Sequence, residues 1–213
     1  MEELYTTWKA IGVAGGDLSF FQDFFVKFYQ AFIEGDRWLQ YLNGVKTTLL
    51  MTALALILGI VLGVLVAMLR TAHDQQRPGH RNPILAVLNL ICKVYVTVIR
   101  GTPMMVQLLI WSSVVFVSSR NFTQIGILGL GINSGAYVAE IIRGGLMAVD
   151  GGQMEAGRSL GFGYVATMRH SILPQAFKNV LPTLANEFIV LLKETAVAGY
   201  VGLNDLTYVG NII

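Results

Sequence analysis

The side chains of this chain that could do chemistry are charged residues inside long apolar stretches. They are Arg100, Glu140, Glu187, Lys193 and Glu194. An unpaired charge in the core of a bilayer costs about 2.5 to 3.5 kcal/mol on insertion scales. We therefore expect these side chains to face the interior of a helical bundle. Two uses remain open: they pair between helices or reach the membrane interface, or they line the path of a polar solute.

Polar neighbours of these charges add to the candidate path. Glu187 and Glu194 are seven residues apart and share one helix face, whereas Lys193 is turned about 100° away from Glu194. Further candidates for the path or its gate are Thr102, Pro103, Gln107, Tyr137 and Asn186. Arg100 and Gln107 lie beside a predicted kink, which favours structural and gating roles. The threonine and asparagine could equally form hydrogen bonds between helices.

Other kinds of site find little support in the sequence. The single cysteine, Cys92, and the scattered His73, His80 and His170 provide no zinc-ligand spacing and no convergent catalytic set. No glycine-rich phosphate loop followed by Lys-Ser or Lys-Thr occurs, so we do not expect this chain to hydrolyse ATP. The net charge of +2 gives no support for a nucleic-acid partner.

The elements that must position these residues are membrane-spanning helices. The chain is 54% hydrophobic and 13% charged, against about 25% charged in soluble domains. A helix needs about 20 apolar residues to cross a bilayer core. Charge-free runs cover 23 residues at 47–69 and 19 residues each at 101–119 and 121–139. We predict spans at about 46–70, 84–118 with a kink, 123–147 and 178–200. Gly59 and Gly63 would let another helix approach the first span closely.

The remaining segments fix the expected orientation. Residues 1–43 form a leader that we interpret as an amphipathic helix, lying either along the membrane surface or against the bundle. The loop at 70–82 carries three arginines, which places it in the cytoplasm. Counting spans from there places 149–177 in the cytoplasm as well.

That second cytoplasmic segment contains an unusual polar stretch, "EAGRSLGFGYVATMRHSILPQA", from Glu155 to Ala176. Residues 154–168 can form one amphipathic helix of about four turns, with an apolar stripe typical of a surface that docks onto a partner. The stripe consists of Leu160, Tyr164, Val165 and Met168. Its glycines suggest close backbone approach. The Leu173-Pro174 step should end this element and start the next helix with proline in its first turn.

This stretch resembles the EAA loop of the membrane subunits of ATP-binding cassette (ABC) importers. Glu155 and Ala156 match the pattern, Gly157 replaces its second alanine, and Gly161 and Leu173-Pro174 match again; Ser171 stands where isoleucine is usual. The stretches "IRGTPMMVQLLIW", "INSGAYVAEIIRGGLMAVDGGQMEAG" and "NEFIVLLKETAVAGYVGLNDLT" resemble the permeases for polar amino acids, the histidine, glutamate, glutamine, arginine and opine group. The resemblance covers about residues 44–213 and supports a fourth span despite its charges.

The resemblance implies an all-α, polytopic transmembrane bundle of the type I ABC importer permease kind, with a cytoplasmic coupling helix at about 151–165. It implies a multi-pass protein of the bacterial plasma membrane that is not itself an enzyme and binds no cofactor; ATP and Mg would bind to the partner ATPase. The implied partners are two cytosolic ATPase subunits, a second permease subunit that is identical or paralogous, an extracytoplasmic amino-acid-binding protein, membrane lipid and an amino-acid solute. The implied ATPase-coupling residues are Glu155, Ala156, Gly157, Gly161, Leu173 and Pro174.

Within that coupling set, Glu155 would contact the ATPase or cap the helix N-terminus, and Gly161 would give clearance. Family permeases carry one more span, so we expect a longer parent sequence to continue past Ile213 with about 20 to 25 apolar residues. Which polar amino acid is carried, and whether the permease pairs with itself or with a paralogue, stays open. The rival interpretations are a non-transporting scaffold or regulatory subunit and an intramembrane enzyme.

Overall fold

The protein is an all-helical bundle with a helical hairpin at its N-terminus. A computed structural model describes residues 1–76, 82–119, 121–199, 202–203 and 205–212. The α-helices are α1 (Glu2–Val13), α2 (Phe20–Phe32), α3 (Arg37–Asp74), α4 (Pro83–Gly101), α5 (Met104–Ile110), α6 (Phe122–Met147), α7 (Gly152–Ser159), α8 (Tyr164–Thr167), α9 (Leu173–Gly199) and α10 (Leu206–Ile212). Two π-helical segments, Trp111–Val115 and Met168–Ile172, follow α5 and α8.

The leader is a hairpin of two helices, where the sequence suggested one amphipathic helix. The Tyr5 and Tyr29 rings stack 4.2 Å apart, and Trp8 meets Phe25 edge-on at 5.4 Å. The turn that follows contains Gly35 at φ 64° and Asp36 at φ 54°, both in the left-handed region. That turn separates the hairpin from α3, so α3 begins about nine residues earlier than the predicted span.

The long helix α3 packs along α6 over most of the membrane region. Its 38 residues extend about 57 Å at about 1.5 Å per residue, well beyond a core about 30 Å thick. A Cβ atom on Gly59 would lie 2.7 Å from the Ser134 Oγ, and one on Gly63 would lie 2.6 Å from the Val138 Cγ1. The predicted packing role of these two glycines is therefore confirmed. Because residue numbers rise together along this contact, α3 and α6 run parallel.

The second apolar run breaks where its glycine and proline predict. Helix α4 ends at Gly101, and Thr102 takes an extended conformation (φ −115°, ψ 139°) before Pro103. A residue that precedes proline is pushed out of the helical region because its backbone would clash with the proline ring. Helix α5 then starts at Met104 and continues into a π-helical turn.

The connection from α6 to α9 is not the single four-turn helix expected over 154–168. Helix α7 ends at Ser159, and α8 starts at Tyr164 after a turn in which Gly161 has φ +83°. A residue with positive φ cannot continue a right-handed helix, so the segment folds back as a helical hairpin.

The start of α9 also differs from expectation. Pro174 lies in the first turn of α9, as predicted, but no loop precedes it: α8, the π-helical turn and α9 run on without a gap. Proline has no N–H to donate to the preceding turn, and the π-helical segment Met168–Ile172 lies immediately before it. The Leu173-Pro174 step therefore lies within a continuous run of helical segments.

Three helical segments among the described residues are long and apolar enough to cross a membrane: Glu34–Asp74, Pro83–Gly101 and Phe122–Met147. Helix α9 has 27 residues but carries Lys178, Glu187, Lys193 and Glu194. Its apolar content is reduced by those charges, so the fourth span stays a prediction.

Candidate solute pathway and coupling segment

A cluster of charges lies where α3, α4 and α6 meet. The Glu140 carboxylate accepts a hydrogen bond from Arg70 through one oxygen, and its other oxygen lies 3.9 Å from the Arg100 Nη1. The side chain of Arg70 is 12% exposed, whereas that of Arg100 is 43% exposed. Glu140 thus bridges a nearly buried arginine and an accessible one.

Tyr137 completes this cluster. It lies about one turn before Glu140 on α6, and its ring centre is 5.1 Å from the Arg100 guanidinium carbon. An arginine over an aromatic face is attracted by the negative face of the ring. The structure therefore brings Arg100, Tyr137 and Glu140 together.

Sequence reasoning missed Arg70. Its position directly after the charge-free run at 47–69 marked it as the end of a span. Nothing local showed that it reaches a carboxylate 70 residues further along the chain.

A second polar group closes the break between α4 and α5. The Gln107 Nε2 donates to the carbonyl oxygens of Ile99 at 2.7 Å and Thr102 at 3.0 Å. The Asn133 Nδ2 donates to the Gln107 Oε1 at 3.1 Å. A helix that stops leaves carbonyl groups without partners, and Gln107 satisfies two of them. These hydrogen bonds support the structural role predicted for Gln107 near the kink.

Helix α9 presents its charges on different sides. Glu187 is 6% exposed and accepts a hydrogen bond from the buried Ser134 at 2.9 Å. Glu194 is half-buried, whereas Lys193 and Asn186 are exposed. The predicted separation of Lys193 from the two glutamates agrees with this pattern of burial.

Further polar residues extend from the charge cluster towards α7. The Arg143 Nη1 lies 3.3 Å from an Asp74 carboxylate oxygen, and the Asn89 Nδ2 lies 3.1 Å from the His73 Nδ1. A cavity of about 420 Å³ opens next to them, between the C-terminal ends of α3 and α6 and the segment that begins with α7. Its lining includes Thr71, Asp74, Arg143, Met154, Met168 and Ile172.

The segment that contains α7 and α8 is held together at Gly157; we call it the coupling hairpin (152–167), after the role that the sequence predicts for it. A Cβ atom there would lie 2.4 Å from the Thr167 Cγ2 and 2.6 Å from its Oγ1. An alanine, the residue usual at this position of the EAA pattern, would overlap Thr167. The departure from the pattern at Gly157 therefore has a local packing reason.

Gly161 has a different local role. Among the described residues, no heavy atom other than those of Gly161 and its chain neighbours lies within 4 Å of a Cβ built there, and its φ is +83°. Gly161 relieves no contact with a neighbouring residue, so its role within this chain is to allow the positive φ of the turn. Clearance for a partner stays a prediction.

Glu155 lies exposed in the first turn of α7, and α7 has no side-chain cap hydrogen bond at its N-cap, Gly151. The Asp150 Oδ1 instead accepts from the Gly152 amide at 2.8 Å. Asp150 therefore serves the helix start, and within the described residues the Glu155 carboxylate makes no hydrogen bond or ion pair. Ala156, Leu173 and Pro174 are exposed as well.

The outer side of the coupling hairpin is apolar and exposed. Leu160 and Val165 are 77% and 75% exposed, and Phe162 and Tyr164 are also exposed. Met168, the fourth member of the predicted stripe, instead lines the cavity of about 420 Å³. Three of the four stripe residues thus face outward, as expected of a docking surface.

These features define a class of protein: a polytopic helical membrane protein with a polar interior and an exposed helical hairpin at one end. More particularly, the chain belongs to the family described as binding-protein-dependent transport system inner membrane component, which matches residues 84–213. The predicted family, all-α fold and membrane location are confirmed.

Named relatives cover most of the chain. It is 35% identical over 186 residues to the putative glutamine transport system permease protein GlnP of Rickettsia typhi, covering 86% of this chain and 78% of the relative. It is 34% identical over 168 residues to the arginine transport system permease protein ArtQ of Bacillus subtilis, covering 78% and 72%.

Solved structures of ABC transporters resemble this chain as well. One described as the crystal structure of an amino acid ABC transporter with histidines is 41% identical, with a TM-score of 0.71 over 81% of this chain and 77% of that one. The inward-facing MetNI methionine ABC transporter is 26% identical, with a TM-score of 0.67 over 82% and 80%.

Proposed function

We propose that this chain is the permease subunit of an ABC importer for polar amino acids. The observation that carries the proposal is the cluster of Arg100, Tyr137 and Glu140 inside a chain whose relatives are named for glutamine and arginine transport. In this proposal the chain pairs with a second permease subunit, identical or paralogous, and with two cytosolic ATPase subunits that bind ATP and Mg. An extracytoplasmic binding protein delivers the solute.

The charge cluster suits a zwitterionic solute. An amino acid presents a carboxylate, which Arg100 can bind, and an ammonium group, which Glu140 can bind. The 3.9 Å separation of Arg100 and Glu140 is a loose ion pair, so a solute can replace each partner without leaving either charge unpaired. Arg70 holds Glu140 in place from the buried side. Thr102, Pro103 and Gln107 form the adjoining break, which is the candidate gate.

The α9 candidates occupy a second part of the proposed path. Glu187 lies against α6 through Ser134, one to two turns from Glu140 along that helix. Asn186, Lys193 and Glu194 remain candidates for polar contacts with the solute or with the second permease subunit.

The coupling hairpin connects the ATPase to this path. Its proposed ATPase-coupling residues are Glu155, Ala156, Gly157, Gly161, Leu173 and Pro174. Glu155 provides a free charge and the exposed side chains around Leu160 provide apolar contact. Because α8 runs without a gap into α9, a displacement of the hairpin moves the helix that carries Glu187. Rocking of helices around a central site is a common means of alternating access.

Uptake by the reconstituted complex tests the solute assignment. The permease, its ATPase and its binding protein are placed in vesicles and offered a panel of labelled basic, acidic and amide amino acids. We expect ATP-dependent uptake of at least one of them. Measured per folded complex, Arg100→Gln and Glu140→Gln should each lower uptake at least tenfold, while Lys178→Gln, which removes an exposed charge at the start of α9, should leave it unchanged. Uptake unaffected by both cluster substitutions would contradict the proposed path.

A further inference from the structure

The N-terminal hairpin exposes a row of phenylalanine rings. The row consists of Phe20, Phe21, Phe24, Phe28 and Phe32 on α2, with Phe20 and Phe21 each 79% exposed. At about 100° per residue these five side chains fall within an arc of about 120° on the helix. Each aromatic ring removes a large apolar area from water when it is covered. A row of five exposed rings therefore indicates a surface that is covered in the assembled protein.

The other sides of α2 are already used. Phe25 and Tyr29 pack on α1 through Trp8 and Tyr5. On the remaining edge, the Lys27 Nζ lies 2.7 Å from the Asp23 carboxylate; the Lys27 side chain is 72% exposed and that of Asp23 is 46% exposed. Apolar, packed and charged residues are thus separated around one short helix. This is the arrangement of a helix that lies in a membrane interface with its charges turned to water.

The row continues onto the membrane-spanning part of the chain. The Phe28 and Phe32 rings are 5.0 Å apart, and Phe32 stacks on Tyr41 of α3 at 5.2 Å. Beyond Tyr41, α3 exposes Leu42, Val45 and Leu49 on its outer side. The phenylalanine row is therefore one continuous apolar surface with the span that enters the bilayer.

Two contacts hold the hairpin at the start of α3, and the stack of Tyr5 on Tyr29 joins the two helices of the hairpin. The Lys9 Nζ donates to the Glu34 carboxylate at 2.7 Å, Tyr5 stacks on Tyr29, and Arg37 donates to the Gln30 carbonyl oxygen. The hairpin is thus braced at the N-terminal end of α3, which is the end of the bundle opposite the coupling hairpin.

We propose that the α1–α2 hairpin is a membrane-interface anchor whose phenylalanine row inserts at the boundary between headgroups and acyl chains. The leaflet concerned is the one at the N-terminal end of α3. Lys27 lies about 60° from Phe24 on the helix, where its stem can follow the apolar surface while its ammonium group stays with the headgroups. The anchor holds the outer end of α3 at a constant depth while the rest of the bundle rocks. This inference is independent of the identity of the solute.

Quenching of a fluorescent label by lipids tests the anchor directly. In a Cys92→Ser background, Phe28→Cys and, separately, Asp23→Cys are labelled with an environment-sensitive fluorophore. The two positions are about 140° apart on α2. The full chain is reconstituted in vesicles of phosphatidylethanolamine and phosphatidylglycerol that contain lipids with a doxyl quencher near the headgroup. We expect the label at position 28 to be quenched at least threefold more by the doxyl lipid than the label at position 23. Aqueous iodide should show the opposite order.

Two results would overturn the proposal. Equal iodide quenching at both positions would show that the row faces water. Protection of position 28 from both quenchers would show that protein covers it, either a second copy of the chain or a soluble partner. Phe21→Cys, at the exposed start of α2, repeats the measurement without touching the Phe28–Phe32 contact. Agreement between positions 21 and 28 separates a local packing defect from the position of the whole row.

Discussion

The side chain of Thr167 lies directly against the backbone of Gly157, 2.4 Å from where a Cβ atom would be. This contact closes the coupling hairpin, because it joins α7 to α8. We expect Gly157→Ala to displace one helix from the other and to destabilise the segment by about 1 to 3 kcal/mol, the range for overpacked sites. Thermal unfolding of the purified chain, combined with limited proteolysis at the hairpin, measures this effect.

A second substitution checks the cause. Thr167→Ala removes the Cγ2 and Oγ1 atoms and leaves only the Cβ, which would lie 3.0 Å from the new methyl group. That distance is still short, but the two closest contacts are gone, so the double variant should recover part of the lost stability. If the stability losses of the two single variants simply add in the double variant, contact with Thr167 is not the reason that position 157 requires glycine.

The stability cost of replacing Gly161 should depend on its backbone conformation alone. Its φ of +83° and the open space around it predict that Gly161→Ala costs about 1 to 2 kcal/mol, because a Cβ disfavours the left-handed region. Gly161→Asn should cost less, since asparagine enters that region more readily. Equal unfolding temperatures for alanine, asparagine and wild type would show that the turn is not required.

Because α3 packs closely on α6, replacing Gly63 by a larger residue should strongly lower the stability of the fold. A methyl group there would lie 2.6 Å from the Val138 Cγ1 and 2.9 Å from the Ala139 backbone nitrogen. Since backbone cannot move aside cheaply, Gly63→Ala should lower stability by about 2 kcal/mol or more. Gly144→Ala, a helical glycine with nothing within 4 Å, is the matched control. Unfolding in detergent compares the two, and a similar effect at both sites would contradict the packing account.

Glu140 should matter more for stability than its accessible partner does. Glu140→Gln leaves Arg70, which is 12% exposed, without a countercharge. Because the Glu140 side chain is itself 34% exposed, the cost should lie between about 1 kcal/mol, the upper end for accessible pairs, and the roughly 3 to 5 kcal/mol of a fully buried pair. Arg100→Gln should cost well under 1 kcal/mol, because Arg100 is 43% exposed and accessible pairs contribute little. A double variant, Arg70→Gln with Glu140→Gln, should be more stable than Glu140→Gln alone. Unfolding curves that rank the three variants differently would refute this assignment.

The brace of the N-terminal hairpin should depend on pH. Hydrogen bonds to the Glu34 carboxylate and then to the Tyr5 hydroxyl raise the pKa of Lys9 above its ordinary 10.5. A group whose pKa is raised by folding stabilises the folded form below its unfolded pKa and loses that contribution as the pH rises through the folded one. We expect protection of α1 to persist from neutral pH to about pH 10 and to fall above that. Proteolysis across this range measures the effect. Lys9→Gln should show weaker protection that does not change across the same range, because the aromatic contacts of α1 remain; identical profiles for both chains would contradict the role of Lys9.

Local signals in the sequence predicted much of the architecture. The charge-free runs indicated the apolar helices, and the glycine and proline at 101–103 indicated the break beside Gln107. The EAA pattern indicated the family. Each of these signals lies within a few residues of the feature it predicts, because helix formation and helix interruption are governed by neighbouring residues.

Contacts between distant residues could not be predicted in the same way. Arg70 reaches Glu140 and Ser134 reaches Glu187 only because α3, α6 and α9 pack together. The turn at 160–163 is an intermediate case: its two glycines were noted, but periodicity outweighed them and favoured one continuous helix. The positive φ of Gly161 decides between the two, and only the structure gives it.

ATPase stimulation is the sharpest test of coupling between this chain and an ATPase. The permease is reconstituted with its cassette ATPase, and ATP hydrolysis is measured with and without amino-acid-loaded binding protein. We expect co-purification of the two subunits and stimulated hydrolysis. Both should be lost in Glu155→Arg and Ala156→Arg, whose thermal unfolding should be unchanged, and retained in the control Lys178→Glu. Retained association and stimulation in both hairpin variants, or no stimulation in the wild type, would contradict the claim that this chain is a permease coupled to an ATPase through residues 152–167.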